Sequence, residues 1–489
     1  MVATPELPRD PSLPPSVEER LGRLAPDQRA AATAPPGPLL CVAPAGSGKT
    51  TTLVARVAWL VAREAKAEEI AAITFNVRAA EELRTRLADA LAPLGVEPAA
   101  VRVRTFHALG REILADASVD VSALVDRAAV LGALWPNAPA DVRRRLDDVL
   151  SRLKLDRGLT LAEAEREVAA GRDDAGLRAF IAYERALLDR GALDFDDLVA
   201  RAIAALEADR ALLERWRRRC AHLLVDEVQD VDRSQLRLAL LLAAPENRIF
   251  LVGDDDQTIY GWRLADVRRV LALDRFLPGL RRVDLVTNYR CPAPVVERAV
   301  RLVAVNRERF VKRIRARPGA GGRLVLAPDA ADDHVRIRTV LATWPDDGST
   351  SAVLARTNAE LLPAVDAAIE LGRPFRATRI SLLTDDPRLD DLLDRAREVA
   401  PGLPLLVGLE RVRAAVAGVE RASDADEQEV SPADLAAALL AWAAPYPTVG
   451  DLADAIAERR RRIAELCRDD ASLSLATIHG TKGLEFDHV

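Results

Sequence analysis

One short segment restricts the fold of this chain more than any other. It runs from Ala43 to Thr50 as Ala-Pro-Ala-Gly-Ser-Gly-Lys-Thr and directly follows the apolar run Leu39–Val42. Small residues let backbone N–H groups close around a phosphate, and the start of a following helix adds its positive dipole end. Lys49 adds a charge, and Thr50 offers a hydroxyl to Mg²⁺. The sequence therefore predicts a strand, a phosphate-binding loop and a helix over Thr51–Arg63, in a protein that binds a nucleoside triphosphate. The residues expected around the phosphates are Ala43, Pro44, Ala45, Gly46, Ser47, Gly48, Lys49, Thr50 and Thr51.

Length and composition restrict the remaining possibilities. The chain has 489 residues, which is too long for a single core, so we expect several domains. No apolar stretch is long enough to cross a membrane, and Met1–Pro15 has no apolar signal core, so we expect no membrane partner and a cytoplasmic location. A net charge of −6 argues against nonspecific coating of DNA but is compatible with a local basic groove. Four widely separated cysteines are expected to be buried, reduced thiols rather than metal ligands or disulfides: Cys41, Cys220, Cys291 and Cys467.

Short apolar runs alternate with helical patterns from Leu39 onward, which is typical of a parallel α/β sheet. The predicted strands are Leu39–Val42, Ile70–Thr74, Val101–Arg104, His222–Val225, Arg248–Val252 and Arg282–Leu285. Between Arg111 and Arg190 helical periodicity replaces the strands, which predicts a helical insertion. A second α/β region follows Pro318–Gly322, with a mostly helical segment over Asp386–Cys467. The predicted strands of that region are Leu324–Ala327, Ala352–Ala355 and Leu473–Thr477.

Two acidic residues end the predicted strand His222–Val225. A carboxylate at the carboxyl end of a strand beside a phosphate loop can hold Mg²⁺, and a second can orient and deprotonate an attacking water. We assign Asp226 to the metal and Glu227 to the general base. Alone, the pair would be interpreted as a solvated acidic turn, but the loop at Lys49 favours the catalytic interpretation.

Polar and aromatic residues follow the next predicted strand, Arg248–Val252. Gln257 can touch the terminal phosphate of a nucleotide. Tyr260 and Trp262 can present ring faces to nucleic-acid bases, and Arg263 can take a backbone phosphate. For Trp262 in isolation, an ordinary half-buried tryptophan is the more common explanation.

The order of these motifs resembles that of UvrD/Rep-type superfamily 1 (1A) DNA helicases, from about Leu24 to the last residue. Further segments that resemble the family's motifs are Leu24–Gln28 (the Q motif), Ile73–Ala80 (motif Ia), Arg104–Ala108 (motif Ib), Leu193–Leu198, Asn288–Arg290 (motif IV), Ala355–Asn358 and Thr477–Phe486 (motif V). The resemblance implies that Gln28 reads adenine, Tyr289 stacks on it, and Glu485 faces the ribose. It also implies that Arg290 reaches the γ-phosphate as an arginine finger, beside the catalytic residues Lys49, Asp226, Glu227 and Gln257.

The resemblance also implies contacts with single-stranded DNA. The implied residues are Phe75, Thr105, His107, Tyr260, Trp262, Arg263, Arg356, Asn358, Thr477 and His479. The chain departs from the family's usual Thr-Asn-Lys over Asn76–Arg78.

The implied fold is α/β, with two RecA-like parallel-sheet domains that carry helical insertions. The expected parts are a flexible tail (1–20), a first RecA-like ATPase domain (21–110 and 194–290), a helical insertion (111–193), a second RecA-like domain (291–385 and 470–489) and a reduced helical insertion at the position of the family's accessory domain (386–469). The family's motif VI lies beyond motif V. We therefore expect the second domain to be incomplete, the chain to be part of a longer protein, and residues 1–489 alone to turn over ATP poorly.

The implied function is that of an ATP-dependent DNA helicase or translocase moving 3′ to 5′ on single-stranded DNA, powered by ATP hydrolysis between the two RecA-like domains. The implied cofactors are ATP and Mg²⁺. The implied partners are single-stranded DNA, single/double-strand junctions, and repair or nuclease proteins. The alternative is an ATP-gated DNA-binding subunit or fragment without unwinding activity of its own, and the helicase arm of a larger helicase–nuclease also stays open.

Overall fold

A computed structural model of the chain describes residues 10–172, 174–261, 264–326, 332–377, 386, 388–399, 404–420 and 432–489. Two of the predicted DNA contacts, Trp262 and Arg263, lie outside these ranges. The described residues form two compact units. The first comprises residues 10–138 and 143–325, and the second comprises residues 139–142 together with the described residues from 326 onward.

A parallel sheet forms the centre of the first unit. Its six strands among the described residues lie in the order β3-β2-β4-β5-β1-β6, and all neighbours pair in parallel. The strands are β1 (Leu39–Val42), β2 (Ile70–Thr74), β3 (Arg102–Thr105), β4 (His222–Val225), β5 (Ile249–Gly253) and β6 (Arg281–Asp284). Each lies within one residue of its predicted bounds, so the α/β parallel-sheet prediction is confirmed.

Successive residues of these strands enter two different cores. Along β1, Leu39 and Cys41 belong to one core, whereas Leu40 and Val42 belong to the other. A strand that is buried on both faces has a continuous apolar sequence. This pattern allowed these strands to be predicted. The helices of the unit are α1 (Pro15–Gly22), α2 (Pro26–Ala32), α3 (Lys49–Ala62), α4 (Val77–Leu91), α5 (Phe106–Asp116), α6 (Arg127–Leu134), α7 (Ala140–Ser151), α8 (Leu161–Ala169), α9 (Ala175–Asp189), α10 (Asp197–Ala208), α11 (Arg210–Arg219), α12 (Arg233–Ala243), α13 (Val267–Leu271) and α14 (Ala293–Val303).

Helices α1 to α4 cover one face of the sheet, and α5 with α10 to α13 cover the other. The predicted flexible tail over residues 1–20 is wrong for its helical part. Val17 and Leu21 of α1 are buried in the core, because the helix presents these apolar residues to α3.

Helices α6 to α9 carry a separate small core, and a π-helical turn over Arg152–Asp156 follows α7. This part of the chain is helical, as the sequence predicts; its treatment as an insertion with the stated bounds stays a prediction. A short parallel pair, β7 (Thr287–Asn288) and β8 (Arg315–Ala316), completes the unit.

The second unit contains a smaller parallel sheet in the order β10-β11-β9. Its described strands are β9 (Ser351–Ala355), β10 (Phe375–Arg376) and β11 (Leu473–Thr477), and its described helices are α15 (Asp333–Leu341), α16 (Leu362–Glu370), α17 (Arg388–Val399), α18 (Leu405–Glu420), α19 (Pro432–Ala443) and α20 (Val449–Leu466). Helices α17 to α20 share their own core, which agrees with the helical prediction for Asp386–Cys467.

The strand predicted over Leu324–Ala327 is wrong in its described part. Residues 324–326 pair with no strand, and their side chains are exposed. Apolar residues favour a strand only where a neighbouring strand takes up the backbone hydrogen bonds, and the described residues supply none here.

All four cysteines are free thiols, and Cys41 and Cys220 are buried. In the part of the chain that the structure describes, none of the helices combines the length and apolarity that a membrane crossing requires.

A buried ion cluster joins the π-helical turn to α9 and to the segment before α10. Lys154 is 3% exposed, and its Nζ lies 2.7 Å from Glu184, 3.0 Å from Asp197 and 3.1 Å from Asp194. Burial alone would raise the pKa of Asp194, but the charges of Lys154 and Arg127 outweigh it and hold that pKa well below its usual range. The cluster therefore stabilises the packing of the π-helical turn against α9 and the start of α10. This stabilisation depends on the positive charge of Lys154.

Replacing this lysine tests the cluster. Lys154→Met leaves three buried carboxylates without their shared cation, and we expect it to lower the free energy of unfolding by about 3–5 kcal/mol in urea denaturation. Arg201→Met is the control, because Arg201 pairs with the same Asp197 at 3.2 Å but is 37% exposed, and it is expected to cost less than about 1 kcal/mol. Equal effects of the two substitutions would contradict the assignment.

Candidate functional site

The segment Ala43–Thr51 connects β1 to the start of α3 in a turn that needs its glycines. Gly46 and Gly48 have positive φ angles of 66° and 82°, a conformation that favours glycine. A Cβ on Gly46 would lie 2.7 Å from the Cβ of Arg290, and one on Gly48 would lie 2.5 Å from Nε2 of Gln28. The loop is therefore shaped by its own backbone and by two residues that the sequence assigns to the same site.

Gln28 is bonded to the loop itself. Its Nε2 donates to the carbonyl of Ser47 at 2.8 Å, and its Oε1 accepts from the N–H of Ala25 at 3.0 Å. The side chain is buried. The structure thus brings Gln28 to the phosphate loop, and its role toward adenine stays a prediction.

The Asn288–Arg290 segment lies against the same loop. Asn288 donates from Nδ2 to the carbonyl of Ala45 at 2.8 Å, and its Oδ1 accepts from the N–H of Arg290 at 2.9 Å. The N–H of Tyr289 donates to the carbonyl of Gly46 at 2.8 Å, and the tyrosine side chain is exposed. Asn288, to which the sequence analysis gave no role, therefore anchors both predicted nucleotide contacts on the loop.

Lys49 points toward the acidic end of β4. Its Nζ lies 3.5 Å from Oε1 of Glu227 and 3.5 Å from the carbonyl of Ala43. Burial favours the neutral amine, but the carboxylates of Glu227, Asp254 and Asp226 outweigh it and raise the pKa of Lys49. The lysine therefore stays cationic, as a phosphate ligand requires.

Asp226 and Glu227 follow β4 at the carboxyl edge of the sheet. Burial and the neighbouring Glu227 carboxylate raise the pKa of Asp226 to about 7, against the opposing effect of Lys49. Glu227 has a positive φ of 52°, which is unusual for a residue with a side chain and is found at functional turns.

The donor set fits a magnesium ion. Among the described residues, no three or more His, Cys, Asp or Glu side chains cluster as metal ligands. Mg²⁺ is usually held by one or two carboxylates, with phosphate oxygens and waters completing its shell. Asp226 after β4 supplies one such carboxylate, and Thr50 in the first turn of α3 adds a hydroxyl oxygen at the same edge of the sheet.

A chain of amide and carboxylate contacts joins Glu227 to Gln257. Gln229 is fully buried; its Nε2 donates to Oε2 of Glu227 at 2.5 Å, and its Oε1 accepts from the N–H of Asp254 at 3.0 Å. Gln257 donates from Nε2 to Oδ2 of Asp254 at 2.6 Å. A Cβ on Gly253 would lie 2.3 Å from Oε1 of Gln229, so glycine is required for this approach. The sequence analysis gave Gln229 no role, because no local pattern shows which strand end its amide reaches.

Aromatic residues predicted to contact DNA lie in stacked pairs. The rings of Phe75 and Tyr260 are 4.9 Å apart at an interplanar angle of 22°. The ring of His107 lies 4.0 Å from that of Phe195, which is largely exposed and was not predicted as a contact. Thr105 caps α5, where its hydroxyl accepts from the N–H of Ala108.

Phe75, Thr105, His107 and Phe195 line one groove with a volume of about 1060 Å³. Its lining carries charges of both signs: Arg127, Arg144, Arg152, Asp126, Asp147, Asp148, Asp196, Asp230 and Asp232. Charge therefore does not single out this groove for nucleic acid, and its suitability for nucleic acid lies in its aromatic faces. Of the departures from the family pattern, Asn76 caps α4 by accepting from the N–H of Ala79, and Arg78 is exposed.

Four predicted DNA contacts lie at one edge of the sheet in the second unit. Arg356 follows β9 and His479 follows β11, and Nη1 of Arg356 lies 3.2 Å from Nε2 of His479. Thr477 ends β11 and accepts from the N–H of Gly480 at 3.3 Å, whereas Asn358 lies just beyond β9. Glu485 is exposed in this unit, and its role toward a ribose stays a prediction.

The chain is similar in sequence to known proteins. The family model for the UvrD/REP helicase N-terminal domain matches residues 24–278. DNA helicase II of Escherichia coli (strain K12) is 30% identical over 397 residues, which cover 76% of this chain and 54% of that protein. The ATP-dependent DNA helicase Rep of the same strain is 31% identical over 323 residues, covering 64% and 48%. UvrD1 of Mycobacterium tuberculosis (strain ATCC 25618 / H37Rv) is 31% identical over 400 residues, covering 75% and 51%. The chain thus spans about half the length of the curated relatives that it matches.

The carboxyl of Asp226 gives the site a pH dependence. A metal binds the deprotonated carboxylate, so with a pKa of about 7 we expect magnesium-dependent nucleotide binding to weaken as the pH falls through this value. A fluorescent ATP analogue with Mg²⁺ should bind about tenfold more weakly at about pH 6 than at about pH 8, because roughly one carboxylate in ten is then deprotonated.

The control for this measurement is Asp232→Asn. Burial raises the pKa of Asp232 to about 7 as well, but its carboxylate caps α12, a role that asparagine also fills. This variant should keep the pH dependence of the unchanged protein. Equal affinity at both pH values in the unchanged protein would show that Asp226 is not a metal ligand.

Proposed function

The chain belongs to the UvrD/REP helicase family, and from that premise we propose that it is an ATP-dependent DNA helicase or translocase moving 3′ to 5′ on single-stranded DNA. The observation that carries the proposal is the continuity of the first unit's site. Lys49 faces Glu227, the contacts of Gln229 link Glu227 to the turn that ends at Gln257, and Tyr260 three residues later stacks on Phe75. Residues suited to phosphate chemistry are thereby joined to residues suited to base stacking.

The proposed hydrolytic step uses groups that lie at the carboxyl edge of the sheet. The loop N–H groups and Lys49 hold the β- and γ-phosphates. Glu227 takes a proton from the attacking water, whose oxygen bonds to the γ-phosphorus while the bond to the β–γ bridging oxygen breaks. Gln257 and Arg290 act on the terminal phosphate, where arginine presents a planar fork of donors that stays charged. Mg²⁺, held by Thr50 and Asp226, would neutralise phosphate charge when bound.

DNA binding is proposed for the aromatic pairs of the first unit and for the sheet edge of the second. Every base has a ring face, so stacking on Phe75, Tyr260 or His107 tolerates any sequence. Arg356 and His479 supply a polar pair suited to a phosphate backbone. The proposal also includes binding of single/double-strand DNA junctions and of repair or nuclease proteins, which rests on the family resemblance. It includes a cytoplasmic location as well, which the free cysteines support.

Substitution of the general base tests the catalytic part. Glu227→Gln should lower the rate of ATP hydrolysis by about 10²–10⁴-fold while nucleotide binding is retained, since the amide cannot take the proton from water. The exposed Glu246→Gln is the matched control and should keep the rate of the unchanged protein. Hydrolysis by the full-length protein is measured with and without a thymidine oligonucleotide, and the DNA should stimulate its rate. Identical rates with and without DNA would refute the translocase, and DNA binding gated by ATP without turnover would instead support a binding subunit.

Removal of a stacking ring tests the DNA part. Phe75→Ala and Tyr260→Ala should each weaken binding of a thymidine oligonucleotide by about 1–3 kcal/mol, measured by fluorescence anisotropy. Because the two rings stack on each other, the double variant should lose less than the sum of the two. Phe276→Ala removes an exposed ring elsewhere in the same unit and should leave affinity unchanged. Unchanged affinity in both single variants would remove these residues from the DNA site.

A further inference from the structure

Three consecutive aspartates follow β5 and surround one lysine. The Nζ of Lys312 lies 2.6 Å from Asp254, 2.5 Å from Asp255 and 2.9 Å from Asp256. The lysine side chain has no exposed surface, and those of the aspartates are at most 6% exposed. A buried ammonium with three carboxylate partners makes a rigid contact, because any displacement leaves charge without a counter-charge in a poorly solvated place.

The neighbours of Lys312 hold the same turn from a second side. Arg309 forms a bidentate pair with Asp256 at 2.7 and 2.6 Å, and the N–H of Phe310 donates to Oδ2 of Asp255 at 2.8 Å. Burial alone would lower the pKa of Lys312, but the carboxylates, with Asp254 foremost, raise it, so the residue stays charged. Residues 309–312 therefore form a clasp around the turn 254–256.

The clasp belongs to a segment that also holds the phosphate loop. β7 and β8 pair in parallel, and the N–H of Arg317 donates to the carbonyl of Asn288 at 2.9 Å. Asn288 in turn donates to the carbonyl of Ala45 in the loop. One stretch of chain, residues 287–317, thus contacts the phosphate loop at its start and the 254–256 turn near its end.

Asp254 is the point at which the clasp reaches the catalytic groups. Its Oδ1 accepts from Lys312, its Oδ2 accepts from Gln257, and its N–H donates to Gln229, which bonds Glu227. We propose that Lys312 is a positioning residue for ATP hydrolysis, which fixes Asp254 so that Gln257 and Glu227 are held in the geometry that the reaction requires. The inference rests on the proposed function, and it concerns a residue whose described ion pairs are all with the 254–256 turn.

Lys312→Met tests this assignment, with Arg313→Met as the matched control, because Arg313 is the adjacent cation and is exposed. Lys312→Met should lower kcat for ATP hydrolysis by about tenfold or more while KM for ATP changes less than about threefold, since misplaced catalytic groups affect the transition state more than binding. Arg313→Met should change neither. A rise in KM that accounts for the whole loss, or an unchanged kcat, would overturn the proposal.

A charge-compensated variant separates positioning from the charge balance of the cluster. Lys312→Met with Asp255→Asn removes one cation and one anion of the same cluster, and Asp255 contacts only the clasp residues among the bonds described for its side chain. The double variant restores the charge balance of the cluster but not the contact between Lys312 and Asp254, so it should keep the reduced kcat of the single variant. A double variant that recovers most of the lost kcat would show that Lys312 acts through the charge balance of the cluster and overturn the proposal.

Hydrogen exchange gives a readout that does not depend on activity. The amide of Asp254 donates to Gln229, that of Asp256 to Asp254 Oδ1, and that of Gln257 to the Asp254 carbonyl. In Lys312→Met these amides should exchange about tenfold faster, while those of β2 stay unchanged. Equal amide exchange rates in Lys312→Met and in the unchanged protein would overturn the proposal that Lys312 holds this turn. If the unchanged protein hydrolyses no ATP, the proposed function fails, and the exchange measurement still decides whether Lys312 holds the turn.

Discussion

The nucleotide site depends on one buried amide, the side chain of Gln229. It donates to the Glu227 carboxylate and accepts from the N–H of Asp254, and so ties the ends of two neighbouring strands together. The contact exists only because Gly253 has no side chain, since a Cβ there would lie 2.3 Å from the amide oxygen. The proposed general base and the turn that carries Gln257 are thereby fixed to each other through a buried side chain, where an unmade hydrogen bond is costly.

The sheet explains why these groups meet at all. In a parallel sheet every strand ends at the same edge, so residues far apart in sequence converge there when each follows its own strand. Lys49 after β1, Glu227 after β4 and Gln257 after β5 illustrate this convergence. The segment 287–317 adds a second connection outside the sheet, since it bonds the phosphate loop through Asn288 and the turn after β5 through its lysine and arginine. The site is thus formed by residues at the strand ends, and the segment 287–317 holds them together.

Local sequence patterns were sufficient to predict the strands of the large sheet, but not the contacts between residues that are far apart in the sequence. Strands buried on both faces are apolar runs, so the large sheet was predicted to within one residue at each end. The same reasoning failed at Leu324–Ala327, where an apolar run has no neighbouring strand among the described residues. The contacts made by Asn288, Gln229 and Lys312 have no local signature, because each partner lies at another strand end or loop. Lys312 and Asp254, for example, are 58 positions apart. The stacking of Phe195 on His107 could not be predicted for the same reason.

We propose that one triphosphate is held jointly by the loop, the acidic pair and the Asn288–Arg290 segment. A crystal structure of the protein with Mg²⁺ and a non-hydrolysable ATP analogue tests this proposal. We expect a γ-phosphate within hydrogen-bonding reach of Lys49, Gln257 and Arg290, with a water between it and Glu227. A nucleotide bound elsewhere, or one whose γ-phosphate is out of reach of Arg290 and Gln257 while Lys49 holds it, would refute the proposal.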